Sequence, residues 1–162
     1  MNNFIVQVGQ FLIVVYYRVS SKAIIDSESE TILLKDGRYC FAYSHDATET
    51  EPYAVQEFID ITVDGVTVAG TKKGTQNGPD MTNGYEGTLM GTLDNDIITG
   101  VFSYIIEGSA NKEGEIYKIK KDHSGIEKVR YPLSEGKGIL FPDTTKEYKT
   151  LLYSQVECAL KI

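Results

Sequence analysis

Between Asn83 and Ile119 the chain reads NGYEGTLMGTLDNDIITGVFSYIIEGSANKEGEIYKI, three runs rich in Thr, Ile, Val, Phe and Tyr separated by Asp94-Asn95-Asp96 and by the stretch from Gly108 to Gly114. β-Branched and aromatic side chains suit a pleated, half-buried surface, and short Asn, Asp and Gly breaks supply the left-handed backbone that tight hairpins require. The stretch predicts three consecutive antiparallel strands. A meander must bury one of its faces, and the flanking sequence continues the same rhythm.

Upstream, RYCFAYSH from Arg38 to His45 alternates Tyr39, Phe41, Tyr43 and His45 against Cys40, Ala42 and Ser44, so the aromatic set points inward. QEFIDITV from Gln56 to Val63 puts Ile59, Ile61 and Val63 on one face, and Asp64-Gly65 turns it into a return strand from Val66 to Gly70. Lys72 to Gly84 (KKGTQNGPDMTNG) carries a proline and two Asn-Gly pairs and reads as a long, mobile hairpin tip. In Tyr85 to Leu93, Gly87 and Gly91 share a face with Tyr85, Leu89 and Leu93, which marks bends that curve the sheet. Ile97 to Ile106 sets Ile98, Phe102, Tyr104 and Ile106 against Ile97, Val101 and Ile105, so cover is expected on both faces, with the N-terminal segment a candidate for the outer one. Glu115 to Lys121, Lys128 to Leu133, Gly138 to Phe141 and Tyr148 to Val156 supply further strands. Because nearly every link is of hairpin length, the expected fold is all-β, an antiparallel up-and-down β-barrel of about eight to ten strands. A β-sandwich is the alternative. An interior of this size is either filled by side chains or holds one small ligand.

The N-terminal run FIVQVGQFLIVVYYRV, Phe4 to Val19, is apolar but interrupted by Gln7, Gly9 and Gln10, and falls short of the roughly 18 to 20 apolar residues of a membrane-spanning helix. A buried strand, an export signal and a short helix all remain open, with no basic leader before Arg18 and no small-x-small cleavage site. Ser20 to Glu30 is polar and acidic. The expected division is an apolar segment with a linker over residues 1–30, then one barrel domain over 31–162. At 162 residues the chain is long enough for one substantial core. Sixteen basic against 23 acidic residues give a net charge of −7 without a basic stripe, which argues against a nucleic-acid partner.

Several short motifs then align with a family. Gly37-Arg-Tyr-Cys-Phe-Ala-Tyr43, Asn83-Gly-Tyr-Glu-Gly-Thr-Leu-Met-Gly91, Asp96 with Phe102-Ser-Tyr-Ile-Ile-Glu-Gly-Ser109 and Glu115, and Val156-Glu-Cys158 together resemble a group of uncharacterised bacterial envelope lipoproteins with calycin-like barrels. The resemblance covers about residues 36–158. It implies a cell-envelope or secreted location and a binding or structural module without an established activity. The chain departs from the group in having no lipid-attachment cysteine after the apolar N-terminus, which leaves membrane anchoring open.

No phosphate loop, nucleophile elbow or HExxH helix occurs, so no catalytic residue is assigned and the chain is read as a non-enzyme without a cofactor. His45 and His123 have no metal-ligand spacing with each other or with a cysteine, and no metal site is assigned. His45-Asp46 near Glu49 and Glu51 reads either as a weak cation or acid–base site or, more plainly, as a solvated loop. Glu86, Glu107 and Glu115 lie in the central meander. Two carboxylates about 5 to 9 Å apart would suit glycoside hydrolysis, but pairing with Lys118, Lys120 or Lys121, or simple exposure, is the plainer reading. Tyr39, Tyr43, Tyr85, Tyr104 and Tyr117, with Glu107, are the candidate ligand-binding residues. They would line a cavity for a small apolar molecule, or form a packed core with hydroxyl tips at its rim.

Cys40 lies in the first strand of the repeating pattern and Cys158 just after the last, and the first and last strands of a closed up-and-down barrel are neighbours. A Cys40–Cys158 disulfide is therefore expected, with two separate buried thiols as the alternative. Such a bond implies an oxidising compartment. Facing is the difficulty. Cys40 shares a face with Ala42 and Ser44, and Cys158 with Leu152 and Val156, so a bulge is expected to reconcile them.

Overall fold

The computed structural model describes residues 6–8, 11–13, 34–79, 82–136 and 138–158. The chain divides into two compact units, Met1–Glu30 and Thr31–Ile162. In the first, β1 (Val6–Val8) pairs antiparallel with β2 (Phe11–Ile13). The rest of the apolar segment and the acidic linker lie outside the described residues, as does the expectation that the segment covers the barrel.

The second unit is all-β. Its strands are β3 (Gly37–His45), β4 (Ala54–Asp64), β5 (Thr67–Asn77), β6 (Thr82–Asp94), β7 (Ile97–Ile106), β8 (Ser109–Ile119), β9 (Gly125–Arg130), β10 (Leu133–Gly136), β11 (Ile139–Pro142) and β12 (Lys149–Val156). From β3 to β9 each strand pairs antiparallel with the next; β12 then lies between β9 and β3 and closes the sheet. The result is an eight-stranded up-and-down barrel rather than a sandwich. The β10–β11 hairpin is an excursion before the closing strand, touching the edge of β8 through Leu140 opposite Glu113.

Tight turns set the register. Glu107-Gly108 links β7 to β8 with both residues at positive φ (51° and 78°), and Asn95 (φ 54°) opens the turn between β6 and β7. Two expectations need correcting. The break read from Gly108 to Gly114 shrinks to Glu107-Gly108, and β8 starts at Ser109. The mobile tip read from Lys72 to Gly84 is mostly strand: β5 and β6 stay paired out to Asn77 and Thr82. Lys72, Lys73, Thr75, Gln76, Asn77 and Asn83 are ladder residues, and Lys72 and Gln76 face into the barrel.

The interior has two halves. At the end where Gly37 pairs with Val63, Leu34, Ile61, Val63, Val68, Leu93, Ile98, Ile119 and Ile126 pack into a dry core. Phe41, Ile59, Leu89 and Phe102 form the next level and join the same cluster. Inward glycines let the sheet curve: a Cβ on Gly70 would sit 2.0 Å from the Asp60 carbonyl oxygen. The outer face of β7 is covered in part by the β10–β11 hairpin, whose Phe141 and Pro142 face Val101 and Ile116 across a shallow apolar groove of about 290 Å³, while Ile105 remains 62% exposed.

Cys40 and Cys158 are joined, with their Cα atoms 5.1 Å apart. No bulge is needed. Val156 lies opposite Cys40 in the β12–β3 ladder and Leu152 is 48% exposed, so Leu152, Val156 and Cys158 belong to the outer face that Cys40 already shares. Leu151 and Tyr153 of β12 point inward, at the same parity as Lys149. Asp60 lies close to both sulfurs, but the thiols are oxidised and the carboxylate is held by the Arg38 guanidinium (Nε 2.9 Å from Oδ1), so this trio offers no open metal site.

Candidate functional site

Above the dry core the inward positions turn polar. Along β5 the inner face runs Val68, Gly70, Lys72, Gly74, Gln76; along β8 it runs Ile119, Tyr117, Glu115, Glu113; along β9, Ile126, Lys128, Arg130. Strand alternation carries a charged residue inward wherever the sequence puts one at the right parity. The consequence is a charged layer across the middle of the barrel.

Glu115 is its centre. Its Oε1 accepts from Lys72 Nζ at 2.8 Å and from Lys128 Nζ, and its Oε2 accepts from the Tyr117 hydroxyl at 2.5 Å. Lys72 also lies 3.7 Å from Glu57, and Lys128 lies 3.5 Å from Glu113. Glu57 in turn accepts from the hydroxyls of Tyr85 and Tyr153, tying β4 to β6 and β12. The Lys72 ammonium sits 4.9 Å from the Phe102 ring centroid, a cation–π contact on the apolar side. Isolated charges at these depths would be very costly, and mutual pairing with complete hydrogen bonding is what makes them tolerable.

Burial alone would raise the Glu115 carboxyl, but Lys72 and Lys128 outweigh it and hold the group at about 2. Burial lowers Lys72, helped by the charge of Lys128 and opposed by Glu115 and Glu57. Lys128 is also buried, yet Glu115 and Glu113 push it above its ordinary value. Tyr85 and Tyr117 are driven upward by burial and by the adjacent carboxylates, so their hydroxyls stay protonated and donate.

Above this floor the barrel opens into a cavity of about 760 Å³, within the range typical of small-molecule sites. Aromatic rings form part of its walls: Phe102 and Tyr104 stack with centroids 4.7 Å apart, Tyr85 meets both edge-on or tilted, and Tyr43 packs against Tyr153. The rim carries Arg130, Lys149, His45 and Glu51. His45 Nε2 lies 3.0 Å from Glu51 Oε2 but is not aligned for a hydrogen bond with it and has no other partner.

The sequence candidates separate cleanly. Tyr43, Tyr85 and Tyr104 line the cavity, and Tyr117 is buried beneath it as a donor to Glu115. Tyr39 belongs to the opposite end, where its hydroxyl donates to the Lys35 carbonyl at 2.9 Å. Glu107 occupies the exposed β7–β8 turn and does not line the cavity. Glu115 pairs not with Lys118, Lys120 or Lys121 but with Lys72 and Lys128, because those three lie at the wrong parity or beyond the strand. Glu86 is on the outer wall, so the three meander carboxylates do not converge. Glu57, Lys72, Lys128 and Tyr153 were not singled out by the sequence. The signal for them was parity: each falls an even number of positions from an inward aliphatic residue on its own strand, Ile59, Val68 or Ile126, or beside the inward Leu151 two positions away.

Comparison with protein-family models, with curated proteins and with solved structures finds no match for this chain.

Proposed function

We propose that the protein is a non-catalytic, exported binding barrel that takes one small amphipathic molecule into its mouth. The observation that carries this reading is the pairing of an open cavity of about 760 Å³ with a floor whose charged groups are already mutually satisfied. A packed structural module would have no reason to leave that volume unfilled, since close packing is the ordinary state of a protein interior. A wholly apolar cargo suits the site less well, because it would desolvate the polar lining at Gln76, Arg130 and Lys149 without hydrogen-bonding to it. Hydrolysis by a carboxylate pair is also disfavoured. An acid catalyst needs a raised pKa, whereas Glu115 is held at about 2 by two lysines.

The disulfide supports an oxidising compartment and thereby the envelope or secreted location that the lipoprotein resemblance implies. The test of the binding reading is native mass spectrometry of the whole protein beside a Gln76→Trp variant that fills the mouth. A stoichiometric small molecule retained by the native chain and lost from the variant is the expected result. Identical spectra with no bound species after incubation with a metabolite extract would remove the reading.

A further inference from the structure

Arg130 and Lys149 stand directly opposite each other across the β9–β12 ladder, and both line the cavity. Like charges at opposed positions destabilise a ladder. Neither residue makes an ion pair among the described residues, although a chain of net charge −7 has carboxylates to spare. Those on the cavity floor are engaged elsewhere, Glu57 and Glu115 by lysines and tyrosines and Glu113 by Lys128, while Glu51 is 68% exposed at the rim beside His45. The rim thus holds two adjacent cations without an ion-pair partner among the described residues, in the same cavity as the stacked Phe102 and Tyr104 rings. The Arg130 charge reaches the Tyr43 hydroxyl, where it opposes the rise imposed by burial and Glu57.

Resting on the binding reading above, we propose that the ligand is an organic acid with a ring body, its acid group held between Arg130 and Lys149 and its ring laid against Tyr43, Phe102 and Tyr104. A guanidinium fork beside an ammonium matches the geometry of a carboxylate, sulfonate or phosphate oxygen pair. Binding an anion there relieves the repulsion between the two cations. The aromatic wall supplies the apolar contact that a bare inorganic anion would not use.

Two probes separate this proposal from the reading beneath it: 8-anilinonaphthalene-1-sulfonate and its uncharged relative N-phenyl-1-naphthylamine, titrated by fluorescence against the whole protein at low salt. The sulfonate should bind more tightly by about tenfold or more, and the advantage should shrink as salt is added. Lys149→Glu converts the repulsive pair into an attractive one with Arg130, so the variant should fold with an unchanged or higher thermal midpoint. It should lose about tenfold or more in sulfonate affinity while the neutral probe changes by less than about twofold. Equal affinity for the two probes, or an equal change in both on substitution, would overturn the organic-acid proposal and leave the binding barrel standing. Binding that survives in Gln76→Trp would place the probes outside the mouth and overturn the proposal too. If neither probe binds at all, the binding reading falls with it.

Discussion

Replacing Glu115 by Gln keeps its shape and removes the one charge that both buried lysines face. Lys72 is then left with Glu57 at 3.7 Å and Lys128 with Glu113 at 3.5 Å, both longer and less direct than the bonds each lysine makes to Glu115. Removing one partner from a buried ion pair costs about 3–5 kcal/mol because the remaining charge is stranded. For a domain of this size that corresponds to a fall in thermal midpoint of about 10–20 °C. The pH dependence makes the test specific. Glu115 is held at about 2 against an ordinary 4.5, so its folded-state pKa is depressed. A depressed carboxyl contributes stability that is complete above about pH 4.5 and is lost as pH falls toward 2. At about 1.4 kcal/mol per tenfold change in proton affinity, the contribution is about 3 kcal/mol. Urea unfolding of both proteins at pH 7 and at pH 2 should therefore show a large gap at neutrality that mostly closes in acid. Glu115→Gln should also gain stability as pH rises toward the ordinary lysine value, since burial already depresses Lys72 and the folded state then binds fewer protons than the unfolded one. A neutral-pH gap below about 1 kcal/mol, or one that is the same at both pH values, would refute the assignment of Glu115 as the charge that holds the layer together.

Further expectations concern the core, the glycines and the disulfide. Phe102→Ala, at 2% exposure in the central cluster, should cost about 3–5 kcal/mol in urea titrations, and Ile97→Ala, at 41% exposure, clearly less; equal losses would mean the facing of β7 is wrong. Gly70→Ala drives a methyl into the Asp60 carbonyl and should destabilise by about 1–3 kcal/mol or more, whereas Gly84→Ala, with its nearest neighbour 3.7 Å away, should be tolerated in the same thermal scans. Thiol titration of denatured, unreduced protein should find no free sulfhydryl; reducing the bond opens a loop of 118 positions and should remove about 4–5 kcal/mol in the loop-entropy account, as read from denaturation with and without reductant.

The barrel was legible because its evidence is local and repeated: β-branched and aromatic alternation, two-residue turns, and links too short for anything but hairpins. Cys40 and Cys158 were legible as a pair for the same reason, since closure alone brings β3 and β12 together. The expected difficulty over facing disappears because Leu152 and Val156 lie on the outer face together with Cys40. On this strand the inner positions include Leu151 and Tyr153, and an exposed leucine is ordinary on a protein surface. The boundaries failed where polarity was read as exposure. Lys72-Lys73-Gly74 has the composition of a loop, yet it lies in the middle of an eleven-residue strand, with Lys72 2% exposed and Lys73 on the outer wall over the Phe58 ring.

That error and the site have one physical cause. In a barrel the ladder continues as long as both strands supply backbone partners, and backbone hydrogen bonding does not ask whether the inward side chain is apolar. An apolar pattern therefore marks only the packed half of the barrel, and the pattern of a strand breaks off where its inner face becomes polar. On β5 the pattern stops near Gly70, on β8 it begins only after Gly114, and on β9 the charged Lys128 and Arg130 interrupt it. The hydrogen bonds of Lys72 and Lys128 to Glu115 show that these three strands meet at one level of the same interior, where the apolar core gives way to charge. Neighbouring strands whose apolar faces fade at the same height, while their pairing continues, enclose a polar chamber. Inspecting the parity of the residues just beyond each fade would have named Lys72, Glu115, Lys128 and Glu57 together, and would have excluded Glu107, which sits in a turn and faces neither wall.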